Sequence, residues 1–453
     1  MVVNSYIKNR RQLLSHGLRK EREAALNIID YALTATDPYR ATKELVNLDG
    51  QILRIGELQF DLLQKGNIYV LGMGKATFPI AKALEEILSS RISAGIIIVK
   101  RGQSGTLNRI TIREASHPIP DRDGWLAAQE LVVLAKAAKK GDVVLCAITG
   151  GSSALAPLPV PGISLQDKRR VTELLLNSGA TIREINAVRK HISRIKGGRL
   201  AQAIFPATVI NLTVSDVTGD PLDYITGPTV PDTSTFTDAI AALERHNLVG
   251  KVPKSVLNYL QTATPEMETP KDFSGLPVYS FILVKSKAIC EAAAEKARIL
   301  GHSPMILSSC LESDSREAGS IFTAIAREIQ SYQRPLPPPC AIIAGGETTV
   351  VIHDKPGQGG PNQEFVLGAA LKLNESDRAV IAAIDSDGTD GPTDIAGGIV
   401  DASTVTRASE QKLNIFAQLT CHNTSHVLQK LGDAIITGHT GTNVNDLKLM
   451  LVS

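Results

Sequence analysis

Cysteine and long apolar runs are both scarce in this chain, and each shortage removes a class of protein. Its five cysteines, Cys146, Cys290, Cys310, Cys340 and Cys421, include no C-x-x-C pair. That argues against a disulfide framework or a zinc knuckle, and for a reducing, cytoplasmic setting. The longest apolar runs, such as GIIIV and VVLCAI, are of strand length, far short of the roughly 20 residues that cross a bilayer as a helix. Charge of one sign is missing too. With 48 Lys and Arg against 46 Asp and Glu the net charge is +2, so neither a nucleic-acid footprint nor a membrane partner is expected. The first residues, MVVNSYIKNRRQLLSHGLRKEREAAL, are charged throughout and do not read as a signal peptide. Neither a G-x-S-x-G elbow nor a Cys/His pairing is present, so covalent acyl chemistry is not expected.

What the chain does contain is one unit repeated in form, a short β-branched run followed by a polar, glycine-bearing loop. IYVL precedes GMGK, VVLCAI precedes TGGSS and VINLTV precedes SDVTGD. AIIA precedes GGET, VIAAI precedes DSDGTDGPTD and AII precedes TGHTGTN. Helical segments such as AAQELVVLAKAAK and AGSIFTAIAREIQ lie between them. Strand and helix in alternation predict an α/β chain with largely parallel sheets, whose ligands bind off the carboxyl ends of the strands. A length of 453 residues allows two or three domains. The Pro-, Thr- and charge-rich stretch near 245–275 places the boundary, giving domains 1–260 and 261–453. PLPPP, Pro335 to Pro339, reads as a stiff connector into the AIIA strand.

The GMGK loop raises a question about its lysine. A strand that ends in glycines and opens a helix points backbone N–H groups at an anion. Here Gly72, Gly74 and Lys75 fit neither the dinucleotide fingerprint, because Thr77 replaces the third glycine, nor a Walker A loop, because Tyr69 and Ala76 break it. The alternative is a tight turn with a solvated lysine. TGGSS offers the N–H groups of Gly150 and Gly151 and the hydroxyls of Ser152 and Ser153 to phosphate or carboxylate oxygens. INAVRKHISRIKGGR predicts a helix over Ile185 to Arg199 with an apolar stripe at Ile185, Val188, Ile192 and Ile195. On an adjacent face Asn186, Arg189, Ser193 and Lys196 line up. So many basic groups must be solvated or face an anion, and Arg189 and Lys196 are the candidates for the second role.

Carboxylates gather at three loops. Asp216 and Asp220 follow VINLTV, Glu347 lies in GGET, and DSDGTDGPTD holds Asp385, Asp387, Asp390 and Asp394. The last fails as an EF-hand on spacing, yet an acidic glycine loop suits magnesium, which takes one or two carboxylates and fills its shell with water and phosphate oxygens. The competing reading is a set of Asx turns around Gly-Pro. His117, in SHPIPD, reads as a structural histidine in a proline turn, and Trp125 as packing.

Taken in order, GMGKA, HPIPD, TGGSSAL, NAVRKHIS, KGGRLA, SDVTGDPLDYITGPTVPD, GGETTV, GGPNQE, DGTDGPTDIAGGIVD and TGTNVND resemble the glycerate 2-kinase family, whose C-terminal half is called the MOFRL domain. The match runs from about residue 20 to the end. The resemblance implies an ATP- and Mg²⁺-dependent kinase that phosphorylates the 2-hydroxyl of D-glycerate. It also implies two α/β domains, the first Rossmann-like, with the active site in the cleft between them. Lys75 falls on the family's catalytic lysine. Arg189 and Lys196 would hold the carboxylate of glycerate, and Asp216 would orient its hydroxyl. Asp387 or Asp390 would carry the metal, with Glu347, Asn362 and Asn443 among the binding residues. Where the family reads G-G-R-N-Q-E, this chain has Pro361, so either another cation takes the arginine's place, Arg189 and Lys196 being the candidates, or activity is altered. His439 likewise stands where proline is usual. A hydroxypyruvate reductase, a label some relatives carry, would need a nicotinamide site that the missing third glycine argues against. A non-catalytic sugar-acid sensor would have little use for the acidic loop. A homodimer is compatible with the sequence.

Overall fold

The six apolar runs are all strands in the computed structural model, which describes residues 5–103, 105–217, 219–225, 227–352 and 357–453. Two compact units divide the chain, Pro38–Leu283 and a discontinuous one formed by Met1–Asp37 with Val284–Ser453. Residues 5–37, placed with the N-terminal domain on sequence grounds, therefore pack with the C-terminal unit.

In the N-terminal unit, β1 (Val46–Asp49), β2 (Ile52–Ile55) and β3 (Leu58–Asp61) make a small antiparallel sheet. The main sheet contains β4 (Ile68–Met73), β5 (Ile92–Lys100), β6 (Ile110–Ala115), β7 (Val143–Ile148), β8 (Thr208–Val214) and β9 (Val278–Val284), in the order β6-β5-β4-β7-β8-β9. The pairs β4/β5, β5/β6, β4/β7 and β7/β8 are parallel. All six residues of β7 are buried, as a strand covered on both faces requires. The chain leaves β4 towards β5 and β6 and then returns to β7 on its other side. The strand order thus reverses at β4/β7, where an open α/β sheet forms its ligand crevice.

Above this sheet the helices Leu165–Leu176, Ile182–His191, Phe236–Arg245 and Lys254–Gln261 enclose a separate core that includes Val171, Val188, Leu243 and Val256. The stretch near 245–275, which looked like a boundary, supplies part of it. Val256 and Leu260 are buried there, each contributing about 1.5–3 kcal/mol.

The sheet of the C-terminal unit contains β10 (Ser303–Ser308), β11 (Cys340–Gly346), β12 (Ala379–Asp385), β13 (Gly397–Asp401), β14 (Ala434–Ile435) and β15 (Asp446–Val452), ordered β10-β11-β15-β12-β13-β14. The expectation of a largely parallel sheet does not extend to this unit. Only β10/β11 is a parallel pair, while β11/β15, β12/β15, β12/β13 and β13/β14 are antiparallel. The cause is the last strand, DLKLMLV, which enters between β11 and β12 in the opposite direction. All seven of its residues are buried, so it shows no alternation to mark it as a strand. Its register places Asp446 beside both Gly346 and Asp385. The loops after β11 and β12 and the loop before β15 accordingly share one sheet edge. No helix among the described residues is long and apolar enough to cross a membrane.

Candidate active site

In the N-terminal unit the GMGK and TGGSS loops form one structure. Thr149 N donates to Met73 O at 3.0 Å and Lys75 N to Gly150 O at 2.9 Å, while Ala76 N donates to Thr149 Oγ1 at 3.1 Å. Gly74 has φ +139°, and a Cβ there would lie 2.1 Å from Thr149 Oγ1, so only glycine permits this approach. Gly72 has a different role. It lies inside β4, where a Cβ would meet Thr77 Cγ2 at 2.5 Å, so this candidate binding glycine is taken up by packing. Thr77, which breaks the dinucleotide fingerprint, opens the helix Thr77–Leu88 and donates from Oγ1 to Ala147 O at 3.1 Å.

A methyl added at Gly151 would sit 3.1 Å from Lys75 Cγ and 3.2 Å from His117 Cδ2. Both side chains therefore flank this glycine, and His117, read from sequence as structural, belongs to the lysine's surroundings. Ser152 and Ser153 begin the short helix Ser152–Leu155. Asp216 leaves the carboxyl end of β8 at the same sheet edge.

The basic segment folds differently from its predicted single helix. Thr181 and Glu184 form a capping box at the start of the helix Ile182–His191, which ends at Ile192. Ser193 then bridges to Pro159, and its Oγ accepts from Lys196 N at 3.3 Å. Left-handed backbone at Gly197 and Gly198 leads into the next helix, Arg199–Ile204. The stripe of Ile185, Val188, Ile192 and Ile195 is buried as expected. Lys196, however, reaches its position from a turn, and helical periodicity beyond His191 does not apply.

The polar groups of this segment divide into two sets. Lys190 is paired with Asp223 at 2.5 Å and Asp232 at 3.0 Å. Arg199 donates to the carbonyls of Lys190, Ser193 and Met267. Arg189 and Lys196 form no ion pair among the described residues. Burial lowers the Arg189 pKa. Burial, then the charges of Arg189 and Lys190, hold Lys196 down at about 7 against the pull of Asp223. Desolvated cations lacking carboxylate partners are costly in the empty protein and suit an anionic ligand.

In the C-terminal unit the acidic loop is tied to its neighbours. Asp390 is buried, and it accepts from Asn362 N at 3.1 Å, Gln363 N at 2.9 Å and Asn362 Nδ2 at 3.2 Å. It thereby caps the helix Pro361–Ala370. Asp387 Oδ1 accepts from Thr389 N at 2.8 Å and Thr389 Oγ1 at 2.6 Å, an Asx turn. Val444 N donates to Ser386 Oγ at 2.8 Å and Thr440 N to Asp387 O at 3.3 Å, which brings the Asn443 loop to the acidic loop. Glu347 follows β11 and is exposed. Pro361, which stands where the resemblance calls for arginine, is the first residue of its helix, a position where a missing N–H costs nothing.

Among the described residues no three His, Cys, Asp or Glu side chains gather as a metal-binding group. The donors present still suit magnesium, which needs fewer protein ligands than that. Burial, followed by the charge of Asp446, pushes the Asp390 carboxyl up to about 7. Lys448 Nζ lies 2.8 Å from Asp446. Two buried acceptors, Asn362 Oδ1 and Asn445 Oδ1, lack a hydrogen-bond partner among the described residues. Such hard oxygen donors, with buried carboxyl groups among them, are what a small divalent cation takes.

An α/β protein with glycine-loop anion cradles, desolvated cations and an acidic loop at its strand ends belongs to the class of phosphate- and carboxylate-handling proteins. Residues 24–261 match a family described as a domain of unknown function, DUF4147, and residues 340–446 match the MOFRL family. The glycerate 2-kinase of Pyrococcus horikoshii is 42% identical over 436 residues, covering 95% of this chain and 97% of that one. The D-glycerate 2-kinase of Thermotoga maritima is 37% identical, covering 95% and 98%. The solved structure of glycerate kinase from Thermotoga maritima superposes with a TM-score of 0.80 at 36% identity, covering 95% of this chain and 99% of that one. The chain belongs to the glycerate 2-kinase family.

Proposed function

We propose that the protein is an ATP-dependent kinase that transfers a phosphoryl group to the 2-hydroxyl of D-glycerate, giving 2-phosphoglycerate. The observation that carries this reading is the pair of half-buried Arg189 and buried Lys196, cations with no ion pair among the described residues, in the unit that also holds the Lys75 loop. Phosphoryl transfer asks for such positioned charge rather than for a nucleophilic side chain. Arg189 and Lys196 hold the glycerate carboxylate, and Asp216 orients the 2-hydroxyl. Lys75 offsets charge on the moving phosphoryl group. The N–H groups of Gly150 and Gly151 and the hydroxyls of Ser152 and Ser153 receive anionic oxygens, while Gly74 N donates to Ile98 O and holds the loop. Glu347, Asn362 and Asn443 are the C-terminal unit's contribution to nucleotide binding. Asp387 and Asp390 would hold Mg²⁺, which when bound offsets the negative charge of the ATP phosphates.

Purified protein should consume ATP only with glycerate and a divalent cation both present, and ³¹P NMR should identify the 2-phosphate. Accumulation of the 3-phosphate, or oxidation of NAD(P)H by hydroxypyruvate without ATP, would overturn the reading.

Arg189→Ala is expected to raise KM for glycerate at least about tenfold, equivalent to about 1.4 kcal/mol of lost binding. Pro361→Arg should fold normally, because the first position of a helix accepts either residue. An unchanged glycerate KM in Arg189→Ala would return this helix to the role of a solvated face.

A further inference from the structure

A third cation shares the surroundings of Arg189 and Lys196 and has no part in the reading above. Lys168, on the helix Leu165–Leu176, is 4% exposed, and its Nζ has no hydrogen-bond partner among the described residues. Burial, then the positive charges of Lys196, Arg189 and Arg199, lower its pKa to about 7. The nearby carboxylates are already engaged: Asp223 and Asp232 with Lys190, and Glu268 with His191 and Lys271. Asp167, next to Lys168 in the chain, accepts from Ser164 and Ser255.

A buried ammonium with no acceptor is among the costliest arrangements in a folded protein. Packing alone gives no reason to keep it, since methionine would fill the same space without the charge. A ligand that brings anionic oxygens supplies both the acceptor and the missing charge. We propose that Lys168 is a substrate-binding residue, completing with half-buried Arg189 and buried Lys196 a cluster of three cations for a carboxylate or phosphoryl group of the substrates. The inference rests on the kinase reading for the identity of those substrates, but not for the existence of the anion site.

Two sets of measurements separate these levels. In steady-state assays Lys168→Met should raise KM at least about tenfold, for glycerate if the cluster takes the carboxylate and for ATP if it takes phosphate. Lys168→Arg, which retains the charge, should recover part of the loss. The ligand-free Lys168→Met protein should melt at a higher temperature than the wild type, because a buried unpaired charge has been removed. A residue with a merely structural role would show a lower Tm and unchanged KM values. Independently of turnover, inorganic phosphate or glycerate should raise the Tm of the wild type more than that of Lys168→Met. If the wild type shows that protection but no glycerate-dependent ATP use, the kinase reading falls and the anion site stands. Equal protection of both proteins by both anions, or KM values for glycerate and ATP both unchanged by Lys168→Met, would overturn the proposal.

Discussion

Lys75→Ala is expected to lower kcat by about two to four orders of magnitude, the scale of removing one preorganised charge from a transition state, while Tm stays close to that of the wild type. The lysine backbone is held by Gly150 O, and the adjoining Ala76 N by Thr149 Oγ1. These main-chain contacts do not depend on the side chain, so truncation leaves the loop in place. What is lost is the charge beside Gly151 and His117. Stopped-flow or coupled assays of kcat, paired with a melting curve, check the point. An alanine variant with wild-type kcat and a lowered Tm would make Lys75 a structural residue.

The second large effect concerns stability and lies in the C-terminal unit. Arg22 is fully buried on the helix Arg19–Ala35, with Nε 2.5 Å from Asp401 and Nη1 2.9 Å from Asp433. Asp433 also meets His16 at 2.8 Å and Arg407 at 2.7 Å. Arg22→Ala leaves the buried carboxylate of Asp401 without its cation and Asp433 with only Arg407 and His16, which costs about 3–5 kcal/mol. Burial alone would push the Asp401 carboxyl up, but the charge of Arg22 and hydrogen bonds from Ser403 and Arg22 hold it down at about 2. Since this folded value lies below the ordinary 3.8, the pair's contribution is fully present above that value and lost as pH falls through about 2. Chemical denaturation at neutral pH should therefore show the full loss in Arg22→Ala, and the gap to wild type should narrow on acidification. A loss under about 1 kcal/mol at neutral pH would mean that water enters the network and screens it.

The tie through Arg22 also explains one thing that sequence reasoning could not see. His16 and Arg22 sit in an ordinary charged N-terminal stretch, and nothing local distinguishes them from solvated residues. Their partners lie 379 to 417 positions away. Assignment of residues 5–37 to the C-terminal unit is thus a property of contacts, not of composition. Lys168 escaped notice for the same reason, being one lysine in QDKRR until two helices and a turn enclose it. The strand Asp446–Val452 was hidden in another way, because complete burial removes the period-two pattern.

The sequence by itself determined the α/β class, the six strand-then-loop units and the family, since short apolar runs, glycine-rich ends and ordered motifs are local signals. It also supplied Lys75, Arg189 and Lys196 as candidates, because glycine turns and clustered cations are visible in one dimension. Tertiary structure decided which cations are neutralised internally. Lys190 and Arg199 look like Arg189 and Lys196 in the sequence, yet the first two find carboxylates or carbonyls and, among the described residues, the side chains of the others do not. It decided as well that Asp390 caps a helix, that Gly72 packs inside a strand and that the second sheet is mainly antiparallel. Those outcomes depend on burial and on partners distant in the chain, and a charge's role follows from what surrounds it when water is removed.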